Sequence, residues 1–304
     1  MAIGLQTYTD TSRREDLLSI LKDVSPLDDN YLFENLGESV AQNTLHEWPV
    51  RNIPRATSVT ARAEGFTATV TDLTAPSRSN NYTMILEQVV QVTGTEQEAI
   101  VATGKDPMVD QKQIAMRQLI QKIEFSLVNG GAKSSGASGG ARQAAGIDSV
   151  ISTHVTARAS GTSMSITEIE DIMEEVWTDT GKGLGGKTLL VPFGINRTIS
   201  GFTTNVTNYA NQTDKLFRNI RTFQGSAGEI KIVPHKDVRN VAGTSTVYLI
   251  NEDMYKIAYY RKPKWKPLAV SGDYDLGMYV TEFTLESLAE LTSAKRTGYK
   301  KEAV

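Results

Sequence analysis

From residue 56 to residue 92 the chain alternates in β fashion, but with too little apolar bulk to form a core of its own. Val59, Ala61, Ala63, Phe66, Ala68 and Val70 alternate with Thr, Ser and Arg, the period of a strand. Tyr82, Met84, Leu86, Val90 and Val92 mark a second strand, and residues 74–81 between them form a loop by composition. A two-stranded hairpin is marginal alone in water, so this one must lie on something. From the residues alone two supports stay open: the edge of the chain's own sheet, or a neighbouring molecule on which a projecting arm rests.

A helical period follows. Asp106 suits an N-cap and Pro107 the first helical position. Val109, Met116, Ile120, Ile123 and Leu127 recur on one face, with Gln111, Arg117, Gln121, Lys122 and Glu124 on the other. Asn129-Gly130-Gly131 ends the run. At 1.5 Å per residue the helix over 106–129 is about 34 Å long, the proportions of a strut. Residues 130–146, rich in Gly, Ser and Ala, read as a mobile loop. Ser165 and Glu168 form a capping box ahead of a helix over 165–177, with Ile166, Ile169, Ile172, Met173, Val176 and Trp177 on its buried face. Strands are expected over 188–193, 229–234 and 246–250 and through 254–286, and short helices over 196–202 and 287–295. The order is that of a mixed α+β protein. Ahead of it, residues 1–45 hold eight acids against three bases, a net charge of −5. They read as an extended arm with one short helix over 13–22.

Composition removes several functions. The 304 residues include no Cys, which excludes disulfide scaffolds, thiolate zinc sites and cysteine nucleophiles. His46, His154 and His235 are the only histidines and lie far apart, which argues against a histidine-built metal cage or a Ser-His-Asp triad. A net charge of −3 is not that of a globally basic nucleic-acid binder. No apolar run approaches the roughly 20 residues of a membrane helix. The first residues lack the basic start and apolar stretch of a signal peptide, so the expected compartment is the cytosol or something assembled there.

Three constellations invite chemistry. Residues 181–188, GKGLGGKT, fit the G-x-x-x-x-G-K-[ST] phosphate loop. That loop works by pointing a following helix N-terminus at the phosphates. Here a capped helix precedes and a strand follows, so the order is reversed and a Gly-rich turn is the better reading. Glu168, Glu170, Asp171, Glu174 and Glu175 crowd one helix. A divalent-cation site competes there with a solvated acidic face or an acidic docking patch. Lys256, Arg261, Lys262, Lys264 and Lys266 interleave with Tyr255, Tyr259, Tyr260 and Trp265. Such text grips single strands in some proteins, but a strand with aromatic core residues and solvated lysines writes it equally well. No catalytic carboxylate pair or nucleophile elbow stands out, and no cofactor is called for.

Taken in order, the arm, the thin hairpin, the strut helix and the α+β body resemble the major capsid (major head) protein of tailed bacteriophages, the Johnson fold of Hong Kong phage type. Thr44-Leu45-His46-Glu47-Trp48 resembles that family's T-x-x-x-W lead-in to the hairpin, and Val92-Thr93-Gly94-Thr95 its exit. Pro192-Phe193 with Asn196 and Ser200-Gly201-Phe202 resembles the central strand–helix junction, and residues 228–234, GEIKIVP, a body strand. The C-terminal text is the most specific. Arg261, Pro267-Leu268-Ala269, Gly272-Asp273 and Glu282-Phe283-Thr284-Leu285-Glu286 are similar to R…PLA…GD…E-x-T-L-E. The likeness runs from about residue 40 to 290. It departs at Val270-Ser271, where a basic residue would precede Gly272-Asp273.

The resemblance implies an N-terminal arm over 1–45 and an extended loop over 46–95. It implies a peripheral domain of 96–149 and 251–304 containing the spine helix, and an axial domain of 150–250. The implied work is structural, not enzymatic: hexamers and pentamers closing into an icosahedral virion shell around double-stranded DNA, without sequence readout, assembled in the host cytoplasm. A tail-tube protein, or less readily a nucleotide-binding protein using residues 181–188, is the alternative. Some relatives weld their shells through a hairpin lysine, but no Lys lies between Lys22 and Lys105 here, so a non-covalent shell is expected. The arm is too short for a long built-in scaffold. A separate scaffolding protein, a portal and a decoration protein are the expected partners. Inter-subunit contacts are expected between Arg51, Arg55, Arg62 and Arg78 and the acids Glu34, Glu38, Glu168, Glu170, Asp171, Glu174 and Glu175, because Arg holds carboxylates bidentately.

Overall fold

The computed structural model describes residues 30–51, 53, 56, 58–67, 75–99, 106–181, 187–202, 221–238, 240–241 and 244–300. They begin with α1 (Tyr31–Asn35), β1 (Gly37–Val40), β2 (Leu45–Val50), β3 (Ser77–Tyr82), β4 (Met84–Thr93) and α2 (Gly94–Glu98). The strut α3 (Pro107–Asn129) leads to α4 (Ile147–Val150), β5 (Val155–Thr162) and α5 (Ile166–Thr180). Then come β6 (Lys187–Val191), α6 (Phe193–Ile199), β7 (Thr222–Gly225), β8 (Gly228–Pro234), β9 (Asn240–Val241) and β10 (Thr244–Asn251). The chain closes with β11 (Tyr255–Pro267), β12 (Tyr274–Ser287) and β13 (Ala294–Lys300).

Two main sheets organise the body. One has the order β1-β11-β12-β4, the other β5-β13-β10-β6-β8-β7 with β9 beside β10. β2 and β3 form a separate two-stranded ribbon. The spine starts where Asp106 accepts the N–H groups of Met108 and Val109, a carboxylate cap on an otherwise open helix end. Its first half packs Ala115 on Val90, Val92 and the Trp265–Tyr279 pair of the four-stranded sheet. Its second half places Leu119, Ile123, Leu127 and Val128 in a core shared by both sheets, with Tyr248, Ile250, Tyr255, Ile257, Phe283 and Leu285. A second core lies on the other side of the larger sheet, where Ile169, Ile172, Met173 and Val176 of α5 and Ile195 and Ile199 of α6 cover Leu189, Val191, Ile230, Ile232 and Leu249.

Several expectations need correction. The strand expected over 56–70 is absent from its described residues, 56 and 58–67, which are exposed and unpaired. Pairing falls instead between β2 and β3, Leu45↔Tyr82 through Val50↔Ser77, so most of the composition-based loop at 74–81 is strand. Polar residues sustain such a ribbon because its hydrogen bonds are backbone ones and it buries little. Residues 130–146 close on themselves at two points. Gly130 and Gly146 pack backbone to backbone, where a Cβ on Gly130 would stand 2.4 Å from Gly146 N, and Ser134 bridges Gln143. Residues 287–295 are not a helix but the end of β12, one 3-10 turn and the start of β13, because the segment crosses from one sheet to the other. The buried stripe of α3 is Ala115, Leu119, Ile123, Glu124, Leu127 and Val128. Val109 is exposed, and Met116 and Ile120 are half-buried. On α5, Trp177 is exposed. The short helix expected over 13–22 lies outside the described residues.

Candidate assembly surface

The ribbon is pinned at its base, and toward its tip its described residues are exposed. Trp48, buried, donates its indole N–H to Ser287 O at 2.8 Å. His46 Nε2 faces Glu286 Oε2 at 3.3 Å. The buried Asn81 amide donates to Leu285 O and Ala145 O, and its Oδ1 accepts Ala145 N–H. Next to it Glu282, almost fully buried, accepts from Thr83 Oγ1 at 2.8 Å, Arg142 Nη2 at 2.6 Å and Arg261 Nε at 3.0 Å. Two guanidinium groups on one carboxylate compensate its burial, which an unpaired charge would make prohibitive. Beyond the base, the apolar residues are exposed among the described residues. Ile53 is 78%, Val59 93% and Phe66 58% exposed. A cleft of about 780 Å³ lies beside the base, with Trp48, Arg51, Asn81, Asp179 and Leu288 in its walls.

The scattered stretches of the C-terminal text converge here. Arg261 and Glu282 meet as an ion pair, and Glu286 and Ser287 receive His46 and Trp48. A Cβ on Gly94 would stand 2.3 Å from Asp273 Oδ1, so the hairpin exit and the Gly-Asp pair are fitted to each other.

The expected contact residues divide into two groups. Arg78 pairs loosely across the ribbon with Glu47 at 3.7 Å, both partly in water. Arg62 lies over the Phe66 ring at 6.0 Å. Arg51 is exposed at the end of β2, and Arg55 lies outside the described residues. Among the acids, Glu38 holds Lys262 at 2.5 Å. Glu168 receives Arg158 at 2.8 Å and the Tyr299 hydroxyl at 2.9 Å, Asp171 receives Arg158 at 3.5 Å, and Glu175 pairs with the buried Arg296. Much of the acidic helix is thus answered within the molecule, along the side of α5 that faces β5 and β13. Glu34 and Glu174 remain exposed, and Glu170 accepts Ser226 Oγ at 3.4 Å.

Other features settle in the bland way. Lys187 and Thr188 open strand β6, so no helix N-terminus follows the 181–188 motif, whose residues 182–186 lie outside the described residues. Thr188 Oγ1 donates to Glu252 Oε1 at 2.6 Å. Along β11, Tyr255 and Tyr259 are buried and Trp265 packs on the spine side, edge-on to Tyr279, while Lys264 and Lys266 point to water. Among the described residues no group of His, Asp and Glu is placed to hold a metal ion, and no helix is long and apolar enough to cross a membrane.

The SU10 major capsid protein family profile matches residues 4–300. The chain belongs to that family. It is a major capsid protein, a structural subunit of the icosahedral head shell and so a virion component. The family role is not an enzymatic one. Three solved structures show the same fold across nearly the full length. The capsid asymmetric unit of cyanophage A-1(L) superposes with a TM-score of 0.71 at 14% identity, covering 98% of this chain and 100% of that one. The capsid of Myoviridae phage XM1 gives 0.62 at 11% identity, covering 93% and 96%. The holo-SrpI encapsulin complex of Synechococcus elongatus gives 0.60 at 10% identity, covering 99% of each chain. No curated protein sequence matches. At such identities the fold is preserved while nearly every side chain has changed, so the capsid protein's contacts must be read from its own residues.

One residue of consequence was invisible in the sequence. Glu124, fully buried in the spine, accepts the N–H groups of Leu32 and Phe33 at 2.8 Å each and Nε2 of buried His235 at 2.7 Å. His235 Nδ1 in turn accepts Asp237 N–H. Lys231 Nζ and Glu252 Oε1 grip the Tyr31 hydroxyl nearby, at 2.8 and 2.6 Å. Together these fasten the described end of the arm to the body. A charged residue counts as polar in any periodicity, and only its three donors make its burial tolerable.

Proposed function

We propose that this major capsid protein forms hexamers and pentamers through its ribbon, residues 46–95, laid on a neighbouring copy, and that these close into a head around double-stranded DNA. The observation that carries the reading is the contrast within the ribbon. Its base is held by buried hydrogen bonds, yet Val59 and Phe66 stand 93% and 58% exposed. A lone molecule gains nothing from extending apolar residues into water. In a shell the same residues are buried by the next copy, and many modest contacts accumulate through closure.

In this reading 96–149 and 251–304 form the peripheral unit and 150–250 the axial unit, with β13 returning to the axial sheet. Ribbon arginines, Arg51, Arg55, Arg62 and Arg78, meet acids of the adjacent copy. Glu34, Glu170 and Glu174 are the best supplied for that role, because Glu38, Glu168, Asp171 and Glu175 already hold cations. The shell is non-covalent, since the ribbon offers no amine. A separate scaffolding protein guides assembly in the host cytoplasm, a portal and a possible decoration protein complete the head, and DNA is confined without sequence readout. Negative-stain microscopy of the expressed protein, with and without a scaffolding partner, tests this. Closed shells support it; tubes or open rings favour the tail-tube alternative, and ATP turnover lost in Lys187→Ala would revive the nucleotide one.

A further inference from the structure

Every histidine of the chain faces a carboxylate: His46 faces Glu286, His154 faces Asp179 and His235 faces Glu124. Imidazole is the side chain whose ordinary titration falls between about pH 5 and about pH 8. What each ring does with an added proton depends on its second nitrogen. At the buried His154, Nε2 meets Asp179 Oδ2 at 2.7 Å and Nδ1 meets Ser293 O at 3.1 Å. Both nitrogens face acceptors, so the doubly protonated ring satisfies both. At His235 the surroundings are of the opposite kind. Nε2 meets Glu124 Oε1 at 2.7 Å, but Nδ1 accepts the Asp237 N–H at 3.1 Å. Only the neutral ring protonated at Nε2 makes both bonds, and a proton added at Nδ1 sets one N–H against another.

The turn that carries the Asp237 N–H is held in place. His235 N–H donates to Val191 O at 2.8 Å, and Asp237 O accepts Asn129 Nδ2 at 2.5 Å. Residues 235–237 are thereby clamped between β6 and the last residue of the spine. The ring hangs on side-chain torsions alone, so the ring is the part that gives way. The side chains of Glu124 and His235 have no exposure, so no water stands ready to replace a lost bond. On its other side Glu124 accepts the N–H groups of Leu32 and Phe33 in α1, at 2.8 Å each. One carboxylate therefore couples the imidazole to the end of the arm. Without the ring it keeps two donors for a buried charge, and the contact opens to water.

The other titratable groups on the elements around the ring are otherwise engaged. Tyr31 of α1, Lys231 of β8 and Glu252 are bonded to one another. Tyr248 and Tyr255 of the shared core donate to Asp148 and Ser293. Glu34 of α1 and Lys236, next to the ring in sequence, are exposed. Among the described residues Glu124 is the acid bonded to the ring. We propose that Glu124 and His235 form a proton-operated latch: below neutral pH a proton on Nδ1 opens it and frees α1, with the arm leading into it, from the spine. Opening lets Nδ1 take the proton without the clash, so the latch weakens as pH falls. His154 works in reverse, because the same proton strengthens its hold on Asp179 and Ser293 O. The latch lies within one copy and stands apart from the shell reading.

Hydrogen exchange of the unassembled full chain, read by mass spectrometry with labelling times scaled for the intrinsic effect of pH, tests this. Between about pH 7.5 and about pH 5.5 residues 31–36 should lose about tenfold of their protection, the effect of one or two hydrogen bonds. Residues 152–156 and 187–191 should keep theirs. His235→Gln offers an N–H to Glu124 and an oxygen to Asp237 without titrating, so it should hold α1 at both pH values. Unchanged protection at 31–36 overturns the proposal. So does a loss shared equally by 187–191, which is global unfolding, or one confined to 235–238, in which the turn yields and the arm stays. A full loss that persists in His235→Gln passes the proton to a carboxylate and overturns it too. If that variant does not fold, nitrogen NMR of the wild-type imidazole decides. A ring protonated at Nε2 alone near neutral pH, gaining its second proton in step with the loss at 31–36, supports the latch. A ring already doubly protonated near neutral pH, or one whose second proton arrives out of step with that loss, overturns it.

Discussion

At Glu124 a carboxylate without exposure to water is balanced by two arm N–H groups and one imidazole. Glu124→Gln keeps the shape but sets an NH2 group against donors, so it should cost about 1–3 kcal/mol. Calorimetric melting checks the size, and hydrogen exchange at Leu32 and Phe33 should quicken more than at Leu189. Lys187 is the opposite case. It is buried on β6 with Nζ lacking a hydrogen-bond partner among the described residues, and burial lowers its pKa to about 8. Between about 8 and the ordinary lysine value the unfolded chain binds more protons than the folded one, so this residue makes stability rise with pH across that window. Below pH 8 the penalty is fully present. Lys187→Met should therefore raise stability at pH 7 by about 1–3 kcal/mol and remove the Lys187 part of the rise. Urea melts at pH 7 and pH 9.5 measure both; a variant less stable than the parent at pH 7 would contradict the assignment.

The elements separate what a one-dimensional pattern can report from what it cannot. The spine, its Asp106 cap, the Ser165 cap of α5 and the body strands were legible, because each rests on local period or local hydrogen bonding. The ribbon's register was not. Leu45–Val50 and Ser77–Tyr82 pair across a long, polar intervening stretch, and neither carries an apolar alternation that would announce it. The site was half-legible. The motif stretches around Trp48, Arg261 and Glu282 were visible as text, but the Arg261–Glu282 pairing and the Trp48 bond to Ser287 O depend on tertiary approach. The acids of α5 looked like an outward patch, yet Arg158 and Arg296 reach them from strands distant in sequence or across a turn. At this scale the ribbon makes a clean prediction. Phe66→Ser should leave the stability of the unassembled chain unchanged within about 0.5 kcal/mol, as a surface substitution does. It should lower the yield of closed particles severalfold, read by sedimentation. Loss of melting temperature with normal particle yield would place Phe66 in the molecule's own core.

For the molecule as a whole, two sheets share one core along the spine, and Ile53, Val59 and Phe66 of the ribbon lie outside it. In the proposed non-covalent shell the copies are held by repeated contacts, so particles boiled in detergent should return a single band at 33.3 kDa. A ladder under those conditions would require a covalent link that the ribbon's side chains do not provide. The most direct test is a cryo-EM reconstruction of particles formed by the expressed protein. Closed shells are expected in which Val59 and Phe66 of each ribbon are covered by an adjacent copy and Arg51 or Arg62 reaches a neighbour's carboxylate. A closed shell with those residues still facing solvent, or a ribbon folded back on its own body, would contradict the account.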